Sequence, residues 1–439
     1  MKDKLKVAWI CHFSNKDIRK KLPLSKMKLL NSIKSLLGKE IKPNYYDFAP
    51  WVTNLIKEFE KFEDIELHII APFKGLTCLS YEFVMNGIYY HFFKFDLPLL
   101  HTTLPNKFYW RGSPRFLHNR YFVNRFLNRI KPDIVNLIGT ENPYYSIITL
   151  DIKNIPVYVS VQTVYTNPDR RKYNDSCQQL NWEVELKIHK KEKYYGCSGR
   201  MHRDLILNNN PNAIIFKMFF TLEKPKQVKE LPKIFDFVFF AAKVTKTKGI
   251  EDVIDALAIV KKEKSNVKLN VVGSCFAEYK SFLINKIKKL KLEENIIFND
   301  YFPIHSDMHQ HIVQSNFAVL PVKLDIISGS VVEAILLDLP LVTYKTTGTP
   351  YLNKDGESVL LAEIGDIDML ANQMLKLINS PSMAKNLSKN AKIFVEREFD
   401  NTTSAKCLVD NYRAVIEHYH NNTPIPEGQL FNINEFPLY

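Results

Sequence analysis

Short apolar runs alternate with longer amphipathic segments along most of the chain. Short apolar runs are typical of strands that are buried on both faces, and apolar residues spaced three and four apart are typical of helices that cover a sheet. Strands that alternate with helices form parallel sheets, so the pattern predicts an α/β fold. The predicted strands are 6–10, 66–70, 88–93, 134–138 and 157–161 in the first half of the chain, and 235–240, 267–272, 296–298, 318–321, 341–343 and 359–361 in the second.

The chain is long enough for two domains of this kind. Its 439 residues and its hydrophobic fraction of 46% allow two separate cores. Residues 221–232 are charged and are interrupted by Pro225 and Pro232, as is typical of a linker. We therefore predict domains at 1–222 and 223–403, followed by a helix and tail at 404–439 that can pack back on the first domain.

Charge and cysteine content bear on the binding partners and the cellular compartment of the protein. A net charge of +13 suits an anionic partner, although a lysine-rich solvated surface explains the same number. We expect no nucleic-acid partner, because no nucleic-acid-binding motif accompanies the charge. The six cysteines form no CxxC pair, which favours a reducing compartment and argues against structural zinc. Without a segment typical of a signal peptide or a membrane span, the sequence predicts a cytoplasmic protein.

Asp325 and Glu333 lie on either side of a turn of small residues, Ser328-Gly329-Ser330. An apolar run precedes them, so the segment predicts a strand, a loop and a helix N-terminus. Unpaired amides at such a terminus attract phosphate, and Glu333, one turn into the helix, can reach a sugar hydroxyl beside it. The segment therefore predicts a nucleotide-sugar site, with a loop or capping carboxylate as the alternative role of Asp325.

Two lysines, Lys243 and Lys248, occupy the loop between another predicted strand and the helix that begins after Gly249. Lysine is a compact charge that suits phosphate, and both ammonium groups can converge on a diphosphate. Taken alone, the loop is explained more simply by solvated lysines on a turn. Together with the 328–330 turn, the phosphate-binding interpretation is favoured.

The order of these motifs resembles that of the nucleotide-binding domain of retaining GT-B glycosyltransferases, the family 4 or "glycosyl transferases group 1" enzymes. That family carries a Gly-Arg-x5-Lys-Gly loop, a strand ending in glycine, a Glu-x7-Glu motif, a Gly-x-Pro-Val-Val segment and a later glycine-rich segment. The matching residues here are Lys243, Lys248-Gly249, Gly273, 325–333, 338–342 and 348–360, within roughly 236–412.

The resemblance implies a GT-B fold, in which two Rossmann-like domains face each other across a cleft. It also implies that a sugar passes, with retention of configuration, from a UDP- or GDP-sugar to a saccharide or lipid-linked acceptor in bacterial surface polysaccharide biosynthesis. It implies no cofactor beyond the donor substrate and no metal, because a positive loop and a helix terminus stabilise the departing diphosphate. The implied catalytic residues are Lys243, Lys248 and Asp325, and the implied donor-binding residues are Gly249, Gly273, Ser328, Gly329, Ser330 and Glu333.

The sequence also departs from the family pattern. Lys243 replaces an arginine, Asp325 replaces a glutamate, and the first half lacks the Gly-Gly loop that the family often has near the acceptor. Gln162 stands where the family often has a histidine. These departures leave an alternative function, in which the protein is a catalytically degenerate GT-B protein that acts as a binding or scaffolding partner.

Three residues of the first half are candidates for the acceptor side of the cleft: His12, Glu141 and Gln162. Each follows a predicted strand, and parallel sheets bind ligands at the carboxyl ends of their strands. Gln162 can donate a hydrogen bond to a sugar hydroxyl but cannot act as a base. The structural alternatives are a polar residue in a helix-starting loop for Glu141, and a core or surface histidine for His12.

Three further stretches stand out. Residues 18–42 predict a basic amphipathic helix that either rests on the anionic inner face of the cytoplasmic membrane or packs on the core with a lysine-rich outer face. The aromatic and basic stretch 108–116 either extends that surface or contacts an acceptor sugar. His305 and His309 share one helix face, but the glutamate of an HExxH motif is missing, which favours a solvated helix start over a metal site.

Overall fold

The computed structural model describes residues 4–24, 47–94, 116–172, 179–219, 221–222, 225 and 228–433. These residues form two α/β domains, each built on one sheet, and the predicted fold class is confirmed. Most of the basic stretch 18–42 and nearly all of 108–116 lie outside the described residues. The described part of the first stretch is helical only to Lys21, because Leu22 is extended before Pro23.

The first sheet has eight strands in the order β3-β4-β2-β1-β5-β6-β7-β8, all parallel except β3, which pairs with β4 in the antiparallel sense. The central strands β1 and β5 are apolar and almost fully buried, as the continuous apolar runs predict. The strands are β1 (Leu5–Ile10), β2 (Ile65–Pro72), β3 (Ser80–Met85), β4 (Ile88–Phe93), β5 (Ile134–Ile138), β6 (Val157–Ser160), β7 (Tyr194–Cys197) and β8 (Ile214–Lys217). The described helices are α1 (Lys16–Lys21), α2 (Pro50–Phe59), α3 (Leu117–Ile130), α4 (Pro143–Ser146), α5 (Asp169–Lys172), α6 (Gln179–Lys191) and α7 (Arg200–Asn209).

The second sheet has six parallel strands in the order β11-β10-β9-β12-β13-β14. Its strands are β9 (Phe235–Lys243), β10 (Leu269–Ser274), β11 (Ile296–Asn299), β12 (Ser315–Leu320), β13 (Leu341–Tyr344) and β14 (Leu360–Ala362). The helices are α8 (Ile250–Glu263), α9 (Ala277–Lys289), α10 (His305–Ile312), α11 (Gly329–Leu336), α12 (Ile367–Asn379) and α13 (Pro381–Glu398). This is the strand order of a dinucleotide-binding fold, in which β10 and β11 lie on one side of β9 and the later strands β12 to β14 lie on the other side.

The last described α-helix, α14 (Asn401–Asn421), completes the core of the first domain. Tyr412 is fully buried there, and its hydroxyl accepts a hydrogen bond of 2.6 Å from Asn136 of β5. Helix α14 begins where the chain returns to the first domain. Its first residue, Asn401, exchanges two hydrogen bonds of 2.8 Å with the backbone of Leu222. The second domain therefore lies between two parts of the chain that belong to the first.

None of the helices in the described part of the chain combines the length and the apolar character that a membrane span requires.

Buried neutral histidines predict a first domain that is sensitive to acid. Burial lowers the pKa of His12 and His202 to about 4 and that of His189 to about 3. Their ordinary pKa is 6.5, so the stability they contribute is complete above about pH 6.5 and is lost as the pH falls toward 4. Between pH 7 and pH 5 we expect the free energy of unfolding, measured by urea titration, to fall by about 2 kcal/mol for each such histidine.

A matched pair of variants separates this effect from general acid damage. His189→Gln retains a hydrogen-bonding partner for Asn209, whose amide lies 2.9 Å from His189 Nδ1, and removes the titrating group. Its stability should depend less steeply on pH than that of the parent, whereas His420→Gln, on the exposed end of α14, should leave the slope unchanged. Identical slopes in all three proteins would contradict the role of the buried histidine.

Candidate functional site

The strand order of the second sheet indicates where a ligand site lies. Strands β9 and β12 are parallel neighbours, with Val238 opposite Ala318. The connections that leave their carboxyl ends run to opposite sides of the sheet, which opens a crevice between the two loops. The loops are 243–249 and 321–328, the two segments that the sequence singled out, and the backbone amide of Lys323 joins them by donating to Thr247.

Lys248 and Asp325 form a hydrogen-bonded ion pair across this crevice. Burial acts to raise the pKa of Asp325, but the Lys248 ammonium, a hydrogen bond from Ser328 and the charge of Arg170 outweigh it and hold that pKa below its usual value. The carboxylate is therefore ionised at neutral pH. Both side chains remain partly exposed, at 29% and 39%, so a ligand can reach them.

The other predicted lysine has a different partner. Lys243 is the exposed last residue of β9, and its ammonium lies 5.9 Å from the centre of the Phe276 ring. Among the described residues, Lys248 and Lys243 therefore have different partners, although both stand at the same end of the sheet.

Two of the predicted donor-binding glycines have packing roles. Gly249 has a φ of +85°, and a Cβ there would lie 2.1 Å from the carbonyl oxygen of Pro321. Gly273 has a φ of +138°, and its Cβ would lie 1.9 Å from the carbonyl oxygen of Ala241. Only glycine permits these close approaches, so both residues shape the crevice by letting backbone segments meet.

Gly329 differs from these two glycines. It is the exposed first residue of α11, and a Cβ at this position would meet no atom within 4 Å. The preceding residue, Ser328, is buried and makes no capping hydrogen bond through its side chain, and its hydroxyl lies 3.1 Å from that of Ser330. The start of α11 is therefore not capped by the Ser328 side chain, and an uncapped helix start suits the binding of an anion.

Glu333 lies one turn into α11 and faces α10. Its Oε1 is 3.4 Å from Nε2 of His305, whose ring centre is 4.4 Å from that of His309. The sequence pointed to the histidine pair and to Glu333 separately, and packing of the two helices brings them together. This corrects the expectation that no further ligand accompanies the histidines.

The three acceptor-side candidates all stand at carboxyl ends of neighbouring strands of the first sheet. His12 follows β1 and contacts the hydroxyl of Tyr144 through Nδ1. Gln162 follows β6 and is half-buried. Glu141 follows β5, which lies beside β1 on the side opposite to β2, so the strand order of this sheet also changes side there.

Glu141 has an unusual environment for a carboxylate. Burial, together with the charge of Glu185, raises its pKa to about 7. Its Oε2 is buried without a hydrogen-bond partner among the described residues, while Oε1 lies 3.4 Å from the hydroxyl of Tyr145. A carboxyl group that is half-protonated at neutral pH can either donate a hydrogen bond to a ligand hydroxyl or accept one from it.

Two residues that the sequence did not indicate reach the same region. The charge of Arg170 acts to lower the pKa of both Glu141 and Asp325, one carboxyl group of each domain. His202, on α7, is buried, and burial lowers its pKa while the charge of Asp325 acts to raise it. The start of α7 lies against the loop of the second domain, since a Cβ on Gly199 would be 2.5 Å from Ile326. The sequence analysis did not indicate this contact.

Two Rossmann-like domains whose strand ends meet in this way define the GT-B fold of glycosyltransferases. A sucrose-phosphate synthase structure from Thermosynechococcus elongatus has the same fold, with a TM-score of 0.65 and 13% identity over 93% of this chain and 98% of that one. The Anabaena HepE structure in complex with UDP and glucose gives a TM-score of 0.63 at 15% identity, over 93% of this chain and 99% of that one. At these identities the likeness concerns the fold.

The family follows from the sequence of the second domain. Residues 223–394 match the family described as "Glycosyl transferases group 1". The capsular polysaccharide biosynthesis glycosyltransferase CapM of Staphylococcus aureus is 27% identical over 191 residues, which are 43% of this chain and 49% of CapM. The N-acetyl-alpha-D-glucosaminyl L-malate synthase of Bacillus anthracis is 24% identical over 44% of this chain and 49% of that protein. The chain thus matches about half the length of these relatives.

Proposed function

We propose that this protein transfers a sugar from a nucleotide diphospho-sugar to a saccharide or lipid-linked acceptor, with retention of configuration and without a metal ion. The observation that carries the proposal is the Lys248–Asp325 pair in the crevice between β9 and β12, followed in the chain by the uncapped start of α11 at Gly329. A cation, an anion-binding helix start and a carboxylate are the groups that a diphosphate joined to a sugar requires.

The ion pair gives the site a way to respond to its donor. Without donor, Asp325 neutralises the Lys248 ammonium. A bound diphosphate, with a larger negative charge, competes for that ammonium and releases the carboxylate toward the hydroxyls of the donor sugar. Lys243 and the amides near Gly329 and Ser330 add to the charge stabilisation, and Glu333 binds the ribose.

The bond changes are simple in this proposal. The bond between the anomeric carbon and the diphosphate oxygen breaks, and the acceptor oxygen bonds to the same face of that carbon. The acceptor proton passes to the departing phosphate, so the protein needs no general base. Its contribution is to position the two substrates and to stabilise the charge that develops on the leaving group.

The first domain supplies the acceptor side. His12, Glu141 and Gln162 stand at the strand ends of the first sheet, and the polar groups they offer suit a saccharide. The name of CapM supports an acceptor in surface polysaccharide biosynthesis, and that pathway supports a location at the inner face of the cytoplasmic membrane.

A thermal-shift series tests the donor. UDP, GDP, ADP and their common sugar conjugates are added to the purified protein, and we expect nucleotides of one base to raise the melting temperature, because a ligand that binds the native state stabilises it. Neighbours with the same fold are described in complex with UDP and with UDP-glucose, which favours uridine. Glu333→Gln should give a smaller shift at equal nucleotide concentration, since it removes the charge that binds the ribose.

A control variant and a contrary outcome complete this test. Glu363→Gln removes a carboxylate from an exposed ion pair with Lys345 and should preserve the shift. If no nucleotide shifts the melting temperature of the folded parent protein, transfer is rejected. That outcome favours the catalytically degenerate scaffold that the replaced family residues suggest.

A further inference from the structure

We infer that His305, His309 and Glu333 form a binding site for a divalent transition metal, best suited to Zn²⁺, at the edge of the proposed nucleotide pocket. The two histidines lie one turn apart on α10, and Glu333 reaches them from α11. Their nitrogen and carboxylate ligand atoms all lie within 4.8 Å of one another. Helices α10 and α11 of the second domain thus bring together three side chains of types that bind metals.

The spacing suits a small ion. Zinc binds histidine nitrogen and carboxylate oxygen at about 2.0–2.2 Å, so two ligands of a tetrahedral site lie about 3.4 Å apart. The separation of His305 Nε2 and Glu333 Oε1 is 3.4 Å. His309 is held in place by burial, and His305 and Glu333 are partly exposed, so the third ligand is rigid while the other two face the solvent side.

The chemistry of the set selects the ion. Two imidazoles and one carboxylate are the protein ligands of zinc sites that keep an open fourth position. Mg²⁺ and Ca²⁺ prefer oxygen ligands and are disfavoured by two nitrogens. The site therefore discriminates between zinc-like ions and the ions that usually accompany nucleotides.

The site has a consequence for the donor, and this part rests on the proposed function. Glu333 is the carboxylate that we place on the ribose, and a bound metal occupies it. The metal and the nucleotide therefore compete, so Zn²⁺ acts as an inhibitor of donor binding rather than as a catalyst of transfer.

Metal binding is tested first, without nucleotide. Zn²⁺ is titrated into the full chain in competition with a chromophoric chelator, and Co²⁺ is used as a spectroscopic substitute whose visible absorption reports its coordination. We expect one ion per chain and binding at least about 100-fold weaker in His305→Ala, because even the loss of an outer-shell partner costs about 10–100-fold. His309→Asn, which replaces a buried side chain, serves as a second variant once its melting temperature shows that it is folded.

The matched control is His311→Ala, on the same helix. Its ring lies 3.2 Å from the side-chain amide of Asn270, and we assign it no metal. Equal Zn²⁺ affinity in the parent, His305→Ala and His309→Asn, or no binding to the parent, would overturn the site. Retained affinity in His311→Ala together with its loss in His305→Ala supports it.

Nucleotide competition is then measured in the same proteins. Free nucleotide chelates Zn²⁺ equally in every titration, so only the difference between the parent and His305→Ala is interpreted. Zn²⁺ should weaken nucleotide binding in the parent and leave it unchanged in the variant, and an equal effect in both would overturn the competition. Zinc binding without any nucleotide binding would reject the proposed donor site and leave the metal site standing, so the two failures are distinguishable.

Discussion

Replacing Lys248 with alanine should lower kcat/KM for sugar transfer by at least about 10²–10³-fold, the usual cost of removing one group that stabilises developing charge. The ammonium lies at the crevice between β9 and β12, and its replacement would remove the ion-pair partner of Asp325. Stability should change little, because the pair is partly exposed and such pairs contribute about 0–1 kcal/mol. The measurement is steady-state transfer with the donor that the thermal-shift series identifies.

The control for this prediction lies two residues away. Lys246 is exposed in the same turn, and Lys246→Ala removes an equal charge from the loop. We expect its kcat/KM to remain within about twofold of the parent, since charges on the solvated surface interact weakly. Normal turnover in Lys248→Ala would reject the role of this lysine, and an equal loss in both variants would reduce that role to general loop charge.

Replacing Tyr412 with alanine should lower the free energy of unfolding of the first domain by about 3–5 kcal/mol, the range for large buried aromatic side chains. The Tyr412 ring is fully buried and packs edge-on against Tyr158, and its hydroxyl accepts from Asn136. All four tryptophans of the chain lie in its first 222 residues. Their fluorescence during urea unfolding therefore reports the stability of that domain alone.

This experiment also has a control on the same helix. Tyr419 is 41% exposed, and Tyr419→Ala should change the stability by no more than about 0.5 kcal/mol, as is usual for surface substitutions. If Tyr412→Ala left the tryptophan transition unchanged, α14 would have no energetic part in the core of the first domain.

The fold was accessible from the sequence because most of its strands are apolar runs. Strands β3, β7 and β8 were missed. Strand β8 is a largely apolar run of only four residues, Ile214–Lys217, which periodicity alone does not identify as a strand. Strand β7 is a four-residue stretch that contains Gly196, and glycine weakens a strand signal. Strand β3 is an edge strand whose residues are exposed or half-buried throughout, so it has no apolar run to detect.

The site was accessible only where its parts are close in sequence. The spacing of Asp325, Gly329 and Glu333 follows from one strand-loop-helix unit, and the structure keeps that arrangement. The contact of His305 with Glu333 depends on how α10 packs beside α11, and the approach of Arg170 to Asp325 depends on how the two domains meet. Local patterns carry no information on either packing, so neither contact was predicted.

The return of α14 to the first domain constrains how the two halves of the molecule can move. The chain passes between them twice, and the two passages are joined where Asn401 hydrogen-bonds to Leu222. Two chain crossings that are hydrogen-bonded to each other at one place have the geometry of a hinge. In a hinge, a few residues absorb the change in backbone angles while the two domains stay rigid. Rotation about that point is then the cheapest relative motion, and sliding or separation of the halves requires breaking these hydrogen bonds. We therefore expect any opening between the two domains to be a rotation about the junction of Asn401 and Leu222.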